Sequence, residues 1–172
     1  MSDRVLLTDE LRARIGETAV YTAPEPLGRA SIRYFALAVG DDNPLWTDPS
    51  YARDHGYDDV VAPPTLLAET NQYMPGPRDG DGFMGHSWHI AIPDTRLVRG
   101  GNSYEFAKPA GPETVVTATW RIAGITERRT SAGLAMLVVT SEAAYTDQHG
   151  DLLLTNTETL VFTELPPAGG AS

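Results

Sequence analysis

The sequence predicts an α+β domain in which a long antiparallel sheet carries a helix on one face. Three observations predict it. A short strand stands early, a helical insertion follows, and several long stretches of period-two alternation fill the second half.

Residues 16–22 read as the first strand. Ser31 then offers an N-cap, and Ile32, Phe35, Ala36 and Val39 fall at i, i+3, i+4 and i+7. That is one apolar helical stripe, ended by Gly40. Asp48-Pro49 is a cap followed by proline at the first helical position, and Gly56 stops this second, short helix. Pro63-Pro64 opens a third helix with Leu66, Leu67, Thr70 and Met74 near one face; Pro75-Gly76 closes it. Residues 78–85 are rich in breakers and read as a loop. Beyond them the period changes to two. A strand covers residues 103–106 and stops at Pro109. In residues 114–125, Val116, Ala118, Trp120 and Ile122 alternate with Val115, Thr117, Thr119 and Arg121. Residues 132–145 and 151–162 form two further strands, joined by the turn Asp147-Gln148-His149-Gly150. A curved sheet wrapping the apolar third helix would bury it. Long strands leave an edge to protect, so a dimer is expected.

The chain has 172 residues, 41% hydrophobic and 21% charged, which fits one folded domain over residues 1–165 with a flexible Pro/Gly/Ala-rich tail at 166–172. No apolar run approaches the ~18 residues of a membrane helix. Asp3, Arg4, Asp9, Glu10, Arg12 and Arg14 interrupt the N-terminal stretch, which is not the pattern of a signal peptide. The expected compartment is the cytoplasm, with no membrane partner. The absence of cysteine excludes disulfides, thiolate metal sites and a Cys nucleophile. With 23 acidic against 13 basic residues, net −10, nucleic acid is not an expected partner. The same charge opposes an anionic thioester carrier unless a local basic patch overcomes it. Arg96, Arg99 and Lys108 are the candidates, and each also fits a solvated surface charge. No dinucleotide fingerprint or metal-ligand cluster is present; His86-x-x-His89 lacks a third ligand. No cofactor is expected.

Three stretches carry a family resemblance. They are the run from Ile32 that ends Gly40-Asp41-Asp42-Asn43-Pro44-Leu45-Trp46-Thr47-Asp48, then Val61-Ala62-Pro63-Pro64-Thr65, then Arg99-Gly100-Gly101-Asn102-Ser103-Tyr104-Glu105-Phe106-Ala107-Lys108-Pro109. Together and in this order they resemble the MaoC-like hot-dog hydratase/dehydratase family, in particular its N-terminal dehydratase-type half. The resemblance implies a hot-dog fold: an antiparallel sheet wrapped around a central helix, assembled as a homodimer or as a heterodimer with another hot-dog subunit. It also implies an acyl-CoA or acyl-carrier-protein substrate held in a tunnel at the subunit interface. Family members that hydrate enoyl thioesters use an aspartate and a histidine in a motif like Gly-Asp-x-Asn-Pro-(apolar)-His. Here Gly40, Asp41, Asn43, Pro44 and Leu45 match, and Trp46 occupies the histidine position. Indole does not exchange a proton near neutral pH, so Trp46 does not take the imidazole's acid/base role.

Asp41 is the first catalytic candidate, by its match to the family's acid; the same residue before Pro44 also suits a turn cap. His86 and His89, flanking Trp88, are candidates for a substitute proton carrier, though each also fits a structural or exposed role. His55 is expected to stabilise a helix C-terminus. The substrate-binding candidates are Asn43, which would hold the loop, Trp46, which suits an acyl pocket wall or simple core packing, and Gly100, Gly101, Asn102 and Tyr104. At the two glycines a free backbone N–H could meet a thioester carbonyl, or a β-bulge could simply bend the sheet.

Three functions follow. The chain is an enoyl-thioester hydratase or 3-hydroxyacyl-thioester dehydratase, a lyase, or a subunit of one. Alternatively, it is a hot-dog enzyme of changed chemistry, such as an isomerase, cyclase or thioesterase of a secondary-metabolite pathway. The third is a non-catalytic assembly partner of a competent hot-dog chain.

Overall fold

A computed structural model describes residues 4–69 and 85–166. Helices α1 (Asp9–Ala13), α2 (Gly28–Val39), α3 (Pro49–Asp54) and α4 (Pro64–Glu69) precede or interrupt strands β1 (Thr18–Thr22), β2 (Thr95–Phe106), β3 (Thr117–Arg129), β4 (Ala135–Thr146) and β5 (Leu152–Glu164). The strands form one antiparallel sheet in the order β1-β3-β4-β5-β2. β1 and β2, consecutive in sequence, are thus opposite edges, and the helical segment between them crosses from one edge to the other.

Alternation sets the inner face. Ala118, Trp120 and Ile122 on β3 and Leu137, Val139, Ala143 and Tyr145 on β4 are buried, as are Leu154 and Phe162 on β5. Their outward neighbours are polar or half-exposed, except Leu153, which is buried beside Leu154. A register shift between Ile122 and Gly124 moves the buried set by one position, so Ile125 rejoins the core. Ile32 and Ala36 of α2 and Leu66 and Leu67 of α4 pack into the same core, and α4 touches β5.

The helix signals hold with three corrections. Asp48 caps α3, its Oδ1 accepting from the N–H groups of Ser50 and Tyr51 at 2.8 and 3.2 Å. His55 Nδ1 lies 2.8 Å from the Tyr51 carbonyl at the end of α3, the contact expected of a C-terminal histidine. Gly40 ends α2 with φ +72°. Ser31, however, lies inside α2 and caps nothing. The helix begins at Gly28 because the Leu27 and Gly28 N–H groups are held by the Thr114 and Pro112 carbonyls at 3.0 and 2.8 Å. Val39 is exposed, since the left-handed turn that follows carries the chain off the core. α1 was not expected; Thr8 caps it and it buries none of its own residues. The placements expected for Thr70, Met74 and Pro75-Gly76, for most of the 78–85 loop and for nearly all of the 166–172 tail lie outside the described residues.

Strand β2 begins at Thr95, eight residues before the expected start. Its ladder with β5 shifts register between Arg99 and Gly101, so Leu97 and Arg99 share a face with Asn102, Tyr104 and Phe106 rather than with odd-numbered residues beyond. The two glycines therefore sit at a β-bulge. A Cβ on Gly100 would meet Thr159 Cγ2, the Thr159 carbonyl oxygen and Val161 Cγ2, each at 3.2 Å.

Candidate functional site

The motif that follows α2 folds into a 3-10 turn, Pro44–Trp46. Asp41 Oδ1 accepts from the Asn43 N–H at 3.1 Å, and Asn43 Oδ1 from the Leu45 N–H at 3.0 Å, so both side chains are occupied in building the loop. The Leu45 carbonyl accepts from Val61 N–H at 3.1 Å, and the Ala110 carbonyl from Ala62 N–H at 2.8 Å. These bonds join the turn, the Val61-Ala62-Pro63-Pro64 run and the segment after β2. Trp46 is carried into the core at that junction, 9% exposed, while Asp41 stays exposed.

Trp46 lines a cavity of about 270 Å³ with Tyr57, Leu67, Phe106, Lys108 and Ala110. Its indole Nε1 is buried and meets no hydrogen-bond partner among the described residues. Lys108 Nζ is bound to Asp147 Oδ2 at 3.2 Å and Asp151 Oδ2 at 2.5 Å, contacts that raise its pKa above the ordinary lysine value. Phe106, Tyr104 and Asn102 share one face of β2, and the Tyr104 and Phe106 rings stack at 6.2 Å. The turn carrying Trp46 and the end of β2, sixty residues apart in the chain, thus meet at one cavity, and Asn102 and Tyr104 continue from it along the sheet edge.

His86 lies elsewhere, over the β1 end of the sheet. Its ring stacks on Trp120 at 4.7 Å and 23° and meets Trp88 edge-on at 4.4 Å. Nδ1 is 3.0 Å from the Tyr21 hydroxyl, and Nε2 is buried without a partner among the described residues. Burial first and the nearby His89 second lower its pKa to about 4, with Glu17 opposing them. His86 is therefore neutral at pH 7. Trp88 donates from Nε1 to the buried Ser141 Oγ at 2.8 Å, and its carbonyl accepts from Arg14 at 2.8 Å. Arg14 is also paired with Glu17 at 2.6 Å, at the rim of a cleft of about 410 Å³. His89 is exposed with φ +49°.

The structure groups the sequence candidates unevenly. Trp46 stands with the far end of β2, while His86 and His89 stand with β1, and Asp41 lines neither cavity. Two of the three basic candidates are also held by acids. Arg99 Nε pairs with Glu158 Oε1 at 3.0 Å, and Lys108 is held by its two aspartates. Sequence reasoning passed over Glu158, Asn156 and Ser141, three polar residues buried on the inner face. Their parity within β4 and β5 matches that of the core residues, and that signal was available. Burial raises the Glu158 carboxyl pKa, with Arg99 opposing.

A five-stranded antiparallel sheet in this order, with a helix entering its inner face and the Gly40–Trp46 turn at its rim, defines a hot-dog protein of the MaoC-like hydratase/dehydratase class. Residues 13–156 match the model of the FAS1-like dehydratase domain region, and the chain belongs to that family. A UPF0336 protein of Thermobifida fusca is 34% identical over 151 residues, covering 87% of this chain and 92% of the relative. Among solved structures, the HadBC (3R-hydroxyacyl-ACP dehydratase) complex of Mycobacterium tuberculosis matches with TM-score 0.60 and 26% identity, over 84% of this chain and 95% of that one. The (R)-hydratase of A. caviae involved in PHA biosynthesis matches in fold with TM-score 0.60 at 21% identity, over 88% and 96%.

Proposed function

We propose that this chain is a subunit of a hydratase or dehydratase acting on an acyl thioester, holding the acyl group while a second hot-dog chain supplies the proton-transferring pair. The observation that carries this reading is Trp46, a buried indole beside an apolar cavity at the position where the family resemblance expects an imidazole.

Hydration of an enoyl thioester adds hydroxide at one carbon and a proton at its neighbour, so a base and an acid must share the site near neutral pH. The groups described here do not assemble such a pair. Asp41 is exposed and accepts a bond from its own loop. His86 is enclosed by Tyr21, Trp88 and Trp120, and its low pKa makes it a poor base. A partner chain is the economical source of both groups. Strand β2 offers it a docking edge: every residue from Arg96 onward is exposed, including Leu97, Val98, Tyr104 and Phe106. A twelve-residue edge of this kind invites a second sheet. A hydroxyacyl-carrier-protein dehydratase made as a complex, the mycobacterial relative, is consistent with such pairing.

The test mixes the purified chain with a hot-dog chain that has the Asp/His pair and follows hydration of crotonyl-CoA. Turnover is expected from the mixture and not from this chain alone. Asp41→Asn in this chain should leave the mixture's rate within about two-fold, whereas removal of the partner's histidine should abolish it. Turnover by this chain alone, lost in Asp41→Asn, would overturn the proposal.

A further inference from the structure

We infer that the cleft at the β1 end of the sheet is a second binding site, separate from the Trp46 cavity, for a small uncharged aromatic compound that carries a carbonyl oxygen. The inference goes beyond the function proposed above and uses none of the groups at the Trp46 turn or on β2. β1 and β2 are opposite edges of the sheet, so a chain docked on β2 would leave this cleft open.

The cleft holds about 410 Å³, within the range of roughly 300–1,000 Å³ typical of small-molecule sites. Tyr21 and His86 supply aromatic walls, and both rings are fixed. His86 is stacked on Trp120 and met edge-on by Trp88 and by Tyr21, whose hydroxyl also binds its Nδ1. Rings held in this way lose little freedom when a flat ligand arrives. The polar groups at the rim then select the ligand. Arg14 spends Nε and Nη2 on the two Glu17 carboxylate oxygens and on the Trp88 carbonyl, which leaves the N–H groups of Nη1 uncommitted among the described residues. Ser87 Oγ accepts from the His89 N–H at 3.2 Å and keeps its own O–H to donate. Among the described residues, Glu17 is the one carboxylate on the lining, and Arg14 takes both its oxygens. The spare capacity is therefore for donating, and the ligand brings an acceptor. A full negative charge is disfavoured, because Glu17 already balances Arg14 and the chain carries net −10. A carbonyl oxygen meets the donors without that repulsion. His89 lines the same cleft with φ +49°, a conformation that costs a non-glycine residue energy and recurs at ligand clamps.

The test titrates the full, isotope-labelled chain with three soluble probes and follows it by nuclear magnetic resonance. Benzamide has the flat ring and the neutral carbonyl, benzoate exchanges the amide for a charge, and cyclohexanecarboxamide keeps the amide and loses the ring. Benzamide should show intermolecular Overhauser contacts from its ring protons to the rings of Tyr21 and His86, and the other two should bind about five-fold or more weakly. Ser87→Ala, at an exposed position, should weaken benzamide about three- to ten-fold with the thermal midpoint unchanged, the loss expected of one hydrogen bond. The Overhauser contacts are read in the wild-type chain, so the location is tested whatever the variant does. Absence of contacts to Tyr21 and His86 up to the solubility of benzamide would overturn the assignment. So would benzoate or cyclohexanecarboxamide binding as tightly as benzamide, an undiminished affinity in Ser87→Ala, or contacts confined to Trp46.

Discussion

At one end of the sheet, β1 contributes five residues, and its inner face is covered by His86 and Trp88, with Arg14 and Glu17 paired across the rim. At the other end, β2 contributes twelve residues that are exposed almost throughout, ending at Phe106 beside the Trp46 cavity. Both ends carry a buried aromatic nitrogen without a partner among the described residues, His86 Nε2 in one and Trp46 Nε1 in the other. At the β1 end the aromatic rings pack on one another and leave the imidazole neutral and enclosed. At the β2 end the indole borders an apolar cavity next to an uncovered strand. The contrast teaches that the histidine, the more reactive residue type, is enclosed by its neighbours here, while the less reactive indole borders a cavity beside an exposed strand.

The contrast breaks most visibly if the open edge is given charge. Leu97→Asp combined with Val98→Asp places carboxylates on both faces of β2, where the two side chains are 51% and 43% exposed. Affinity for a partner chain should fall by 100-fold or more, about 3 kcal/mol, because burying unpaired carboxylates is costly. The thermal midpoint of the isolated chain should scarcely move. Sedimentation of the mixed chains reads the first effect, and unchanged association would remove β2 as the docking edge.

A smaller effect is expected at the bulge. Gly100→Val forces atoms into the space held by Thr159 and Val161 and should destabilise the fold by about 1–3 kcal/mol, seen as a lower urea midpoint. An unchanged midpoint would mean that the β2 edge yields freely, unlike the enclosed β1 end.

The smallest effect separates the two ends by pH. His86 has a folded pKa near 4 against an ordinary value of 6.5, so the unfolded chain binds the proton first as pH falls. Its contribution is complete above pH 6.5 and is lost progressively down to about 4. Glu158, near the β2 end, has the opposite sign. Its folded pKa lies above the usual 4.5, so stability is present below that pH and is lost as pH rises through the folded pKa. In the wild type the two slopes oppose each other from pH 4.5 up to the raised Glu158 pKa. His86→Phe should remove the acid-side loss, and Glu158→Gln the loss on raising pH. Parallel unfolding curves for the three proteins across this range would contradict both assignments.

Sequence legibility followed the same division. β3, β4 and β5 were readable because a sheet with one buried face writes its alternation into the chain: Val116, Ala118, Trp120 and Ile122 are all buried. The first half of β2 was not. It is exposed on both faces, which removes amphipathic contrast, and the bulge at Arg99/Gly101 shifts its parity midway. Asp41, Asn43 and Trp46 were legible as a motif, but not as one exposed acceptor, one turn-building amide and one buried indole.

The sequence by itself determined the strand-rich second half, the Asp48 cap and the glycine stop at Gly40. All of these rest on backbone preferences and contacts within a few residues. Only the tertiary structure decided that β2 is an open edge, that His86 is neutral, and that the Trp46 N–H lacks a partner. Exposure, proton affinity and hydrogen-bond satisfaction depend on groups brought from far along the chain, as with Tyr21 and His86, 65 residues apart.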